Sequence, residues 1–584
     1  MYPNFLLEYD YANLTSNIRR ATGKAFGQYK ILDNLKFNSD FGYDMSYTTE
    51  DQFRGSLTPF QSTNGEAYAQ NSITESYVFS NYFTFTEEIG ASSALTLIAG
   101  MEYNNTDRTF TSVTGTEFPS DDFQTINSAA EITAGAGSRT AYNFLSYFGR
   151  ATFLIKDKYV FKASVRRDGS SRFGSNNRFG TFPAVSAGWI ISEESFFGKN
   201  KTLPFLKLRA SYGQLGNSEI GDFPSRFLFS GVSYNRVPGL APTQPGNNDL
   251  TWEKSTQVDV GIEFGLFSNR ISGELDYYTK ETDGLLFNVP LPGSSGTSSI
   301  NRNIGVLEST GIELVLNSQN VKAGDFSWVT SFNISNYKNE IKTLPNEGSD
   351  IVIGRNVNRV GEAVLSFYMP EYAGVDPDNG DALYYINGSD GSRETTNSIS
   401  QANRIVAGQP NPDWIAGLTN TLAYKGLELD FTFVGEWGAS IYNAGGRFQS
   451  ANGNFEDNQS IDQLNRWQKP GDITNVPQAR LYGFNGYGHS TRWLNDASFI
   501  RLRNLTLGYN LPASILDRLG FSSLKVYAAG SNLLTFNDFP GYDPEAREDS
   551  FDAGAGEPSG IASGQSFYSA PLSKTIIFGL NINF

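Results

Sequence analysis

The sequence predicts an all-β fold, a transmembrane antiparallel β-barrel, and three observations carry that expectation. Apolar and polar residues alternate with period two in segment after segment. The connections between those segments alternate short and long. The chain ends in an amphipathic stretch whose last residue, Phe584, is aromatic. Side chains on an extended strand point to opposite faces in turn, so period two gives each strand one apolar and one polar face.

The clearest segment is 257–267, QVDVGIEFGLF. It places Val258, Val260, Ile262, Phe264 and Leu266 on one face, with Gln257, Asp259 and Glu263 on the other. Leu427, Leu429, Phe431 and Phe433 likewise oppose Glu428, Asp430 and Thr432. Tyr159, Phe161, Ala163 and Val165 oppose Lys162, Ser164 and Arg166. About 17 such segments are expected, at 19–32, 35–50, 70–88, 94–110, 142–155, 159–167, 181–192, 205–216, 252–267, 270–285, 304–318, 325–343, 413–424, 426–441, 498–511, 523–535 and 574–584. Most reach the roughly ten residues that a tilted strand needs to cross a bilayer.

Between them lie short connections at Asp33–Asn34, Lys156–Lys158, Ser268–Asn269 and Lys425, and long ones at 111–141, 217–251, 344–412, 442–497 and 536–573. Short periplasmic turns and long extracellular loops are the habit of outer-membrane barrels. If Phe584 ends in the periplasm, the long connections fall outside. The longest loop contains GVDPDNGDALYYINGSDGS at 374–392, where turn residues separate short aromatic stretches and suggest a small hairpin. Asp376, Asp378 and Asp381 alternate there in a way that suits Ca²⁺, although the order differs from an EF-hand.

Composition narrows the chemistry. Among 584 residues there are 44 Phe, 30 Tyr, 7 Trp and 59 Gly, and no run of 18 apolar residues that would make a spanning helix. Cysteine is absent, which excludes disulfides and thiolate metal sites. His489 is the only histidine, so a histidine-based triad or a multi-histidine zinc site has no residues to build it, and a loop position is expected for it. No catalytic, cofactor or metal residues are expected, and the chain reads as a non-enzyme. The net charge of −16 disfavours nucleic acid, which needs a positive surface. The opening MYPNFL lacks the basic start and apolar core of a signal peptide, so the start is expected to be truncated.

The stretch 146–197 contains Arg167-Asp168-Gly169-Ser170-Ser171-Arg172-Phe173-Gly174, then Phe182-Pro183 and Gly188-Trp189. It resembles the signature block of SusC/RagA-type TonB-dependent outer-membrane transporters. Further matches are LRASYGQLGN at 208–217, WEKSTQVDVGIEF at 252–264, NIGVLESTGIEL at 303–314, PNPDWIAGLTNTLAYKGLELDFTF at 410–433, ASFIRLRNLTLGYNLP at 497–512, and SNLLTF with GYDPE at 531–545. The resemblance implies import of large nutrients, oligosaccharides or peptides, across the cell outer membrane. It implies a SusD-like surface lipoprotein, the TonB complex and the outer-membrane insertion machinery as partners. It also implies a signal peptide, TonB box, plug domain and first barrel strands, none of which is visible here. About 17 of an expected ~22 strands would then be present, and residues 1–584 read as the partial C-terminal barrel without its plug. A passive porin and a soluble glycan-binding β-sandwich are the alternatives.

Three groups of residues are singled out. Arg167 to Phe173 is expected to be a structural outer loop, because Asp168, Ser170 and Ser171 have no histidine or lysine base beside them. Phe578, Leu580, Ile582 and Phe584 share one face of the last segment and resemble an assembly signal. Trp252, Trp414, Trp437 and Trp493 have two readings, stacking on sugar rings or forming the aromatic girdle of a membrane interface.

Overall fold

A computed structural model describes residues 4, 6–58, 63–198, 200–546 and 564–583. Seventeen long strands belong to one sheet, and each of the expected segments is one of them. Inner ends agree closely: strands run Tyr159–Ser170, Phe205–Asn217, Phe326–Thr343 and Trp414–Tyr424. No helix among the described residues is long and apolar enough to cross a membrane.

The largest departures are at the long-loop ends. Strands extend over Ala12–Leu32, Ala94–Thr116 and Glu131–Ile155, so the expected connection at 111–141 shrinks to 117–130. The added stretch from Glu131 to Ala141 reads EITAGAGSRTA, is largely exposed and pairs with Asp107 to Thr116. Backbone pairing continues there after the apolar alternation has stopped, because a ladder needs amides rather than a buried face.

By contact the chain divides into two compact units. The first comprises Met1–Gly188, Ser211–Thr256 and Gly284–Ile304. Its strands pair antiparallel in sequence order. Ala12–Leu32 registers with Leu35–Arg54 from Ala12 opposite Arg54 to Leu32 opposite Leu35, and the ladder continues through Glu66–Glu88, Ala94–Thr116, Glu131–Ile155 and Tyr159–Ser170. Lys156 and Asp157 both adopt left-handed backbone in the tight connection after Ile155. That conformation matches the twist of the flanking strands. The loop at 217–252 carries its own hairpin, Leu228–Tyr234 against Val237–Gln244.

The second unit comprises Trp189–Ala210, Gln257–Asp283 and Gly305–Phe584. Ile271–Asp283, Val306–Ala323, Phe326–Thr343, Trp414–Tyr424, Leu427–Trp437, Phe499–Asn510, Ser523–Asn537 and Thr575–Asn583 pair antiparallel in that order. Lys425 and Gly426 make a two-residue turn with positive φ at both positions, as a type I′ hairpin requires.

The alternation expected at 257–267 is present. Val258, Val260 and Ile262 are exposed, as apolar residues facing lipid would be, while Gly261 is buried between Asp259 and Glu263. A Cβ on Gly261 would fall on the carboxylate of Asp276 and close to Arg209. Those charges cross the polar face: Arg209 reaches Asp276 at 2.5 Å and Glu263 at 3.1 Å, and Lys207 reaches Glu263 at 2.7 Å. Farther along, Glu428 pairs with Lys525 at 2.9 Å and Asp430 accepts a hydrogen bond from Thr421 at 2.7 Å, which leaves Phe431 and Phe433 to pack edge to face.

The long connections of this unit are structured. Ile351–Ile353, Asn356–Asn358, Ser366–Pro370 and Arg404–Gly408 form one small sheet. Tyr372–Val375, Ala382–Tyr385 and Thr395–Thr396 form a second, which contains the hairpin expected at 374–392. Leu494–Asp496, Ser440–Asn443 and Gln565–Ser566 form a third. Phe367, Met369, Tyr442, Ala444 and Trp493 pack into a buried core among them.

Candidate functional site

The signature block closes the first unit's loops at the end of Tyr159–Ser170. The guanidinium of Arg167 lies over the ring of Phe179, 5.2 Å from its centroid. Asp168 accepts a hydrogen bond from Nε of Arg166 at 2.7 Å, and Arg166 also reaches Glu102 at 2.8 Å. Ser171 Oγ accepts from the backbone N–H of Asn143 at 2.9 Å, and Ser170 Oγ accepts from the N–H of Arg172 at 3.3 Å. Both hydroxyls are therefore engaged with backbone.

Arg172 is the most heavily partnered residue of the block. It is buried, donates to the Ser218 carbonyl at 3.0 Å and to Asp222 at 3.3 Å, and stacks 3.9 Å above the ring of Tyr142. These contacts tie the 171–178 bend to the 217–252 loop. Phe173 completes the tie by packing with Phe182, Leu250 and Trp252 in a buried cluster. Gly174 donates its N–H to the Leu250 carbonyl at 3.1 Å, and any Cβ there would fall on the Asn248 carbonyl. The glycine is required by that close approach of two backbones.

The four singled-out tryptophans separate into two kinds. Trp252 is 4% exposed and donates to the Arg178 carbonyl at 3.0 Å. Trp493 is 6% exposed and donates to the Gly488 carbonyl at 3.1 Å. Burial removes both from a lipid-facing girdle and from direct stacking on a ligand, which corrects both readings for these two residues. Their apolar area closes loop cores instead. Trp414 and Trp437 stand directly opposite each other on adjacent strands at the long-loop end, with Trp414 exposed.

Elsewhere the loops use their charges internally. Asp376 accepts from the N–H of Asp378 and from the side chain of Asn379, and Asp381 accepts from Asn397 and pairs with Arg480 at 2.5 Å. Burial works against charge on Asp381, but those hydrogen bonds outweigh it and hold its carboxyl below the usual range. Of the three carboxylates considered for Ca²⁺, those of Asp376 and Asp381 are thus committed to turn geometry and an ion pair. His489 lies in a loop, its Nδ1 2.6 Å from the Tyr442 hydroxyl. Burial pushes Tyr384 up to about 12.

The last strand, Thr575–Asn583, pairs with Ser523–Asn537, and Phe578, Leu580 and Ile582 lie exposed on one face with Ile576. Phe584 lies outside the described residues. The two final sequence motifs meet at ion pairs that inspection of either alone does not reveal: Arg501 with Asp543, and Arg503 with Glu545, each at 2.5 Å.

Long antiparallel strands with one apolar exposed face, one charged face and structured loops at one end define an outer-membrane β-barrel protein. The family described as TonB dependent receptor-like, beta-barrel matches residues 2–533, and the chain belongs to it. It is 33% identical over 593 residues to TonB-dependent receptor P3 of Formosa agariphila, covering 96% of this chain and 57% of that protein. It is 26% identical to TonB-dependent receptor SusC of Bacteroides thetaiotaomicron, covering 95% of this chain and 55% of that one. Among solved structures it matches the RagAB peptide transporter with a TM-score of 0.89 and 29% identity, over 98% of this chain and 63% of that chain. The likeness to SusC and RagAB agrees with the resemblance of the signature block. The chain spans less than two thirds of the length of each of these relatives.

Proposed function

We propose that the chain is the barrel part of a TonB-dependent importer of large nutrients, oligosaccharides or peptides, in the outer membrane. The observation that carries this reading is the likeness to the RagAB peptide transporter along 98% of the chain, loops included. The structured loops would capture ligand beneath a SusD-like surface lipoprotein. Transport would then draw on TonB, and the insertion machinery would read the Phe578, Leu580, Ile582 and Phe584 face during assembly. The chain carries out no catalysis in this reading, since Ser170, Ser171 and Asp168 are held by backbone and Arg166. Arg167 to Phe173 serves as a clasp between loops, and Trp414 with Trp437 serves in the interfacial girdle.

The test is uptake in cells with and without the gene, using fluorescent oligosaccharides and oligopeptides too large for porins. Accumulation that depends on the gene and is abolished by a protonophore is expected. Gene-dependent accumulation that survives the protonophore would instead establish a passive porin.

A further inference from the structure

We propose that a cavity of about 610 Å³ within the loop sheets of the second unit binds peptide, and that it seats a primary ammonium group of that peptide. The proposal rests on the import reading and deepens it by choosing between the two nutrient classes. The volume lies within the roughly 300–1,000 Å³ of small-ligand sites.

Two features of the wall carry the choice. The first is backbone. Ile405, Val406 and Ala407 line the cavity from Arg404–Gly408, and Leu494, Asn495 and Asp496 line it from Leu494–Asp496. Each of these strands is the terminal strand of its small sheet. A terminal strand presents amides and carbonyls to whatever lies beside it. An extended peptide satisfies them by adding a strand, whereas a sugar ring cannot continue such a ladder.

The second is charge. The cavity wall contains the carboxylates of Glu371 and Asp496 and no lysine, arginine or histidine. Glu371 accepts from the N–H of Ser389 at 2.7 Å, and Asp496 accepts from the N–H and Oγ of Ser498 at 2.9 and 2.6 Å. All three donors are neutral, and among the described residues neither carboxylate has an ion-pair partner. An ammonium group offers three donors and the compensating charge. It is carried by a peptide N-terminus or a lysine side chain. Anionic ligands would be repelled from the same wall.

The experiment is equilibrium binding to the detergent-purified protein, measured separately from uptake. The probes are a lysine-containing pentapeptide with a free N-terminus, the same peptide with every amine acetylated, a fully deacetylated chito-pentaose, and maltopentaose. The free peptide is expected to bind at least tenfold more tightly than the acetylated peptide and than either sugar. The double variant Glu371→Gln with Asp496→Asn keeps the oxygens that accept from the serine N–H groups, and is expected to lose at least tenfold in affinity for the free peptide. Equal binding of the acetylated peptide overturns the proposal on the unaltered protein, whether or not the variant folds. Equal binding by a folded double variant, or a preference for the aminated sugar, also overturns it. Loss of energised uptake with the binding pattern intact would overturn the import reading and leave this site standing.

Discussion

Arg501 donates from Nη2 to Asp543 Oδ1 at 2.5 Å, and both side chains are buried, the arginine to 1% exposure. The pair joins the strand Phe499–Asn510 to the loop that follows Ser523–Asn537. Arg501 also lies 3.2 Å from Glu545, so two loop carboxylates converge on one guanidinium.

Removing one partner leaves a buried charge uncompensated, which typically costs about 3–5 kcal/mol. Arg501→Met, which strands the Asp543 carboxylate, is therefore expected to destabilise the loop segment strongly, and Asp543→Asn less so, because Glu545 still pairs with the arginine. Replacing both is expected to cost less than the sum, because the stranded charge is gone. Denaturant titration of detergent-purified protein, followed by protease cutting in the 538–573 connection, measures the three variants. Costs that simply add would show that the pair is not coupled.

The same contact sets a pH dependence. Burial disfavours the charged form of Asp543, but hydrogen bonds from Arg501 and from the N–H groups of Glu545 and Leu572 outweigh it, so its carboxyl is held below the usual value. A carboxyl with a depressed folded value contributes its stabilisation fully above the unfolded value of about 3.9 and loses it as pH falls through the folded value. Protection of the loop is expected to be flat near neutrality and to fall in acid. Asp543→Asn is expected to flatten the acid limb, so identical limbs in both proteins would refute the assignment.

The strands were legible because a membrane wall forces period two on the sequence. Val258, Val260 and Ile262 announce their face, and the registers follow from tight turns such as Lys425–Gly426. The strand extensions were not legible, because 131–141 has no apolar face to betray it and is held mainly by backbone pairing, with an ion pair from Arg139 to Asp107. Trp252 illustrates a second limit. An aromatic at the outer end of a barrel strand fits a girdle, a ligand site or a loop core equally well by sequence. Only the arrival of Phe173, Phe182 and Leu250 from other segments decides for the core. Glu371 and Asp496 stand 125 positions apart in an unpatterned region, and no local spacing links them.

Gly174 tests the clasp. A Cβ at this position meets backbone rather than a side chain that can turn aside. Gly174→Ala is expected to separate the 171–178 bend from the 217–252 loop, at the roughly 1–3 kcal/mol typical of overpacking. Trypsin susceptibility at Arg172 and Arg178 in intact cells should rise. Unchanged cleavage would mean the backbone shifts without loss of the tie.

The terminal face makes a different demand. Phe578 is 80% exposed on the face shared with Leu580 and Ile582. Phe578→Asp is expected to lower the amount of heat-modifiable protein in the outer membrane. Asn581→Asp, on the opposite face, is expected to leave it near the unaltered level. Equal losses would point to general strand disruption rather than recognition of an apolar face.

The sidedness of the strand Glu253–Leu266 gives the most discriminating comparison. Val260 is exposed, whereas Glu263 receives Lys207 and Arg209 on the other face. If the exposed face meets lipid, Val260→Arg places a cation in hydrocarbon at roughly 2–4 kcal/mol near the midplane. Glu263→Gln removes one acceptor from a face that retains Asp276 for Arg209 and meets no hydrocarbon. Its cost is expected to be smaller, because Arg209 keeps its shorter ion pair with Asp276 and the glutamine oxygen can still accept a hydrogen bond from Lys207. Folding into bilayers of defined thickness separates the two: the Val260→Arg penalty should shrink in thinner bilayers, where the position lies closer to an interface, while the Glu263→Gln effect should not change. A Val260→Arg penalty independent of thickness would show that this face does not meet lipid.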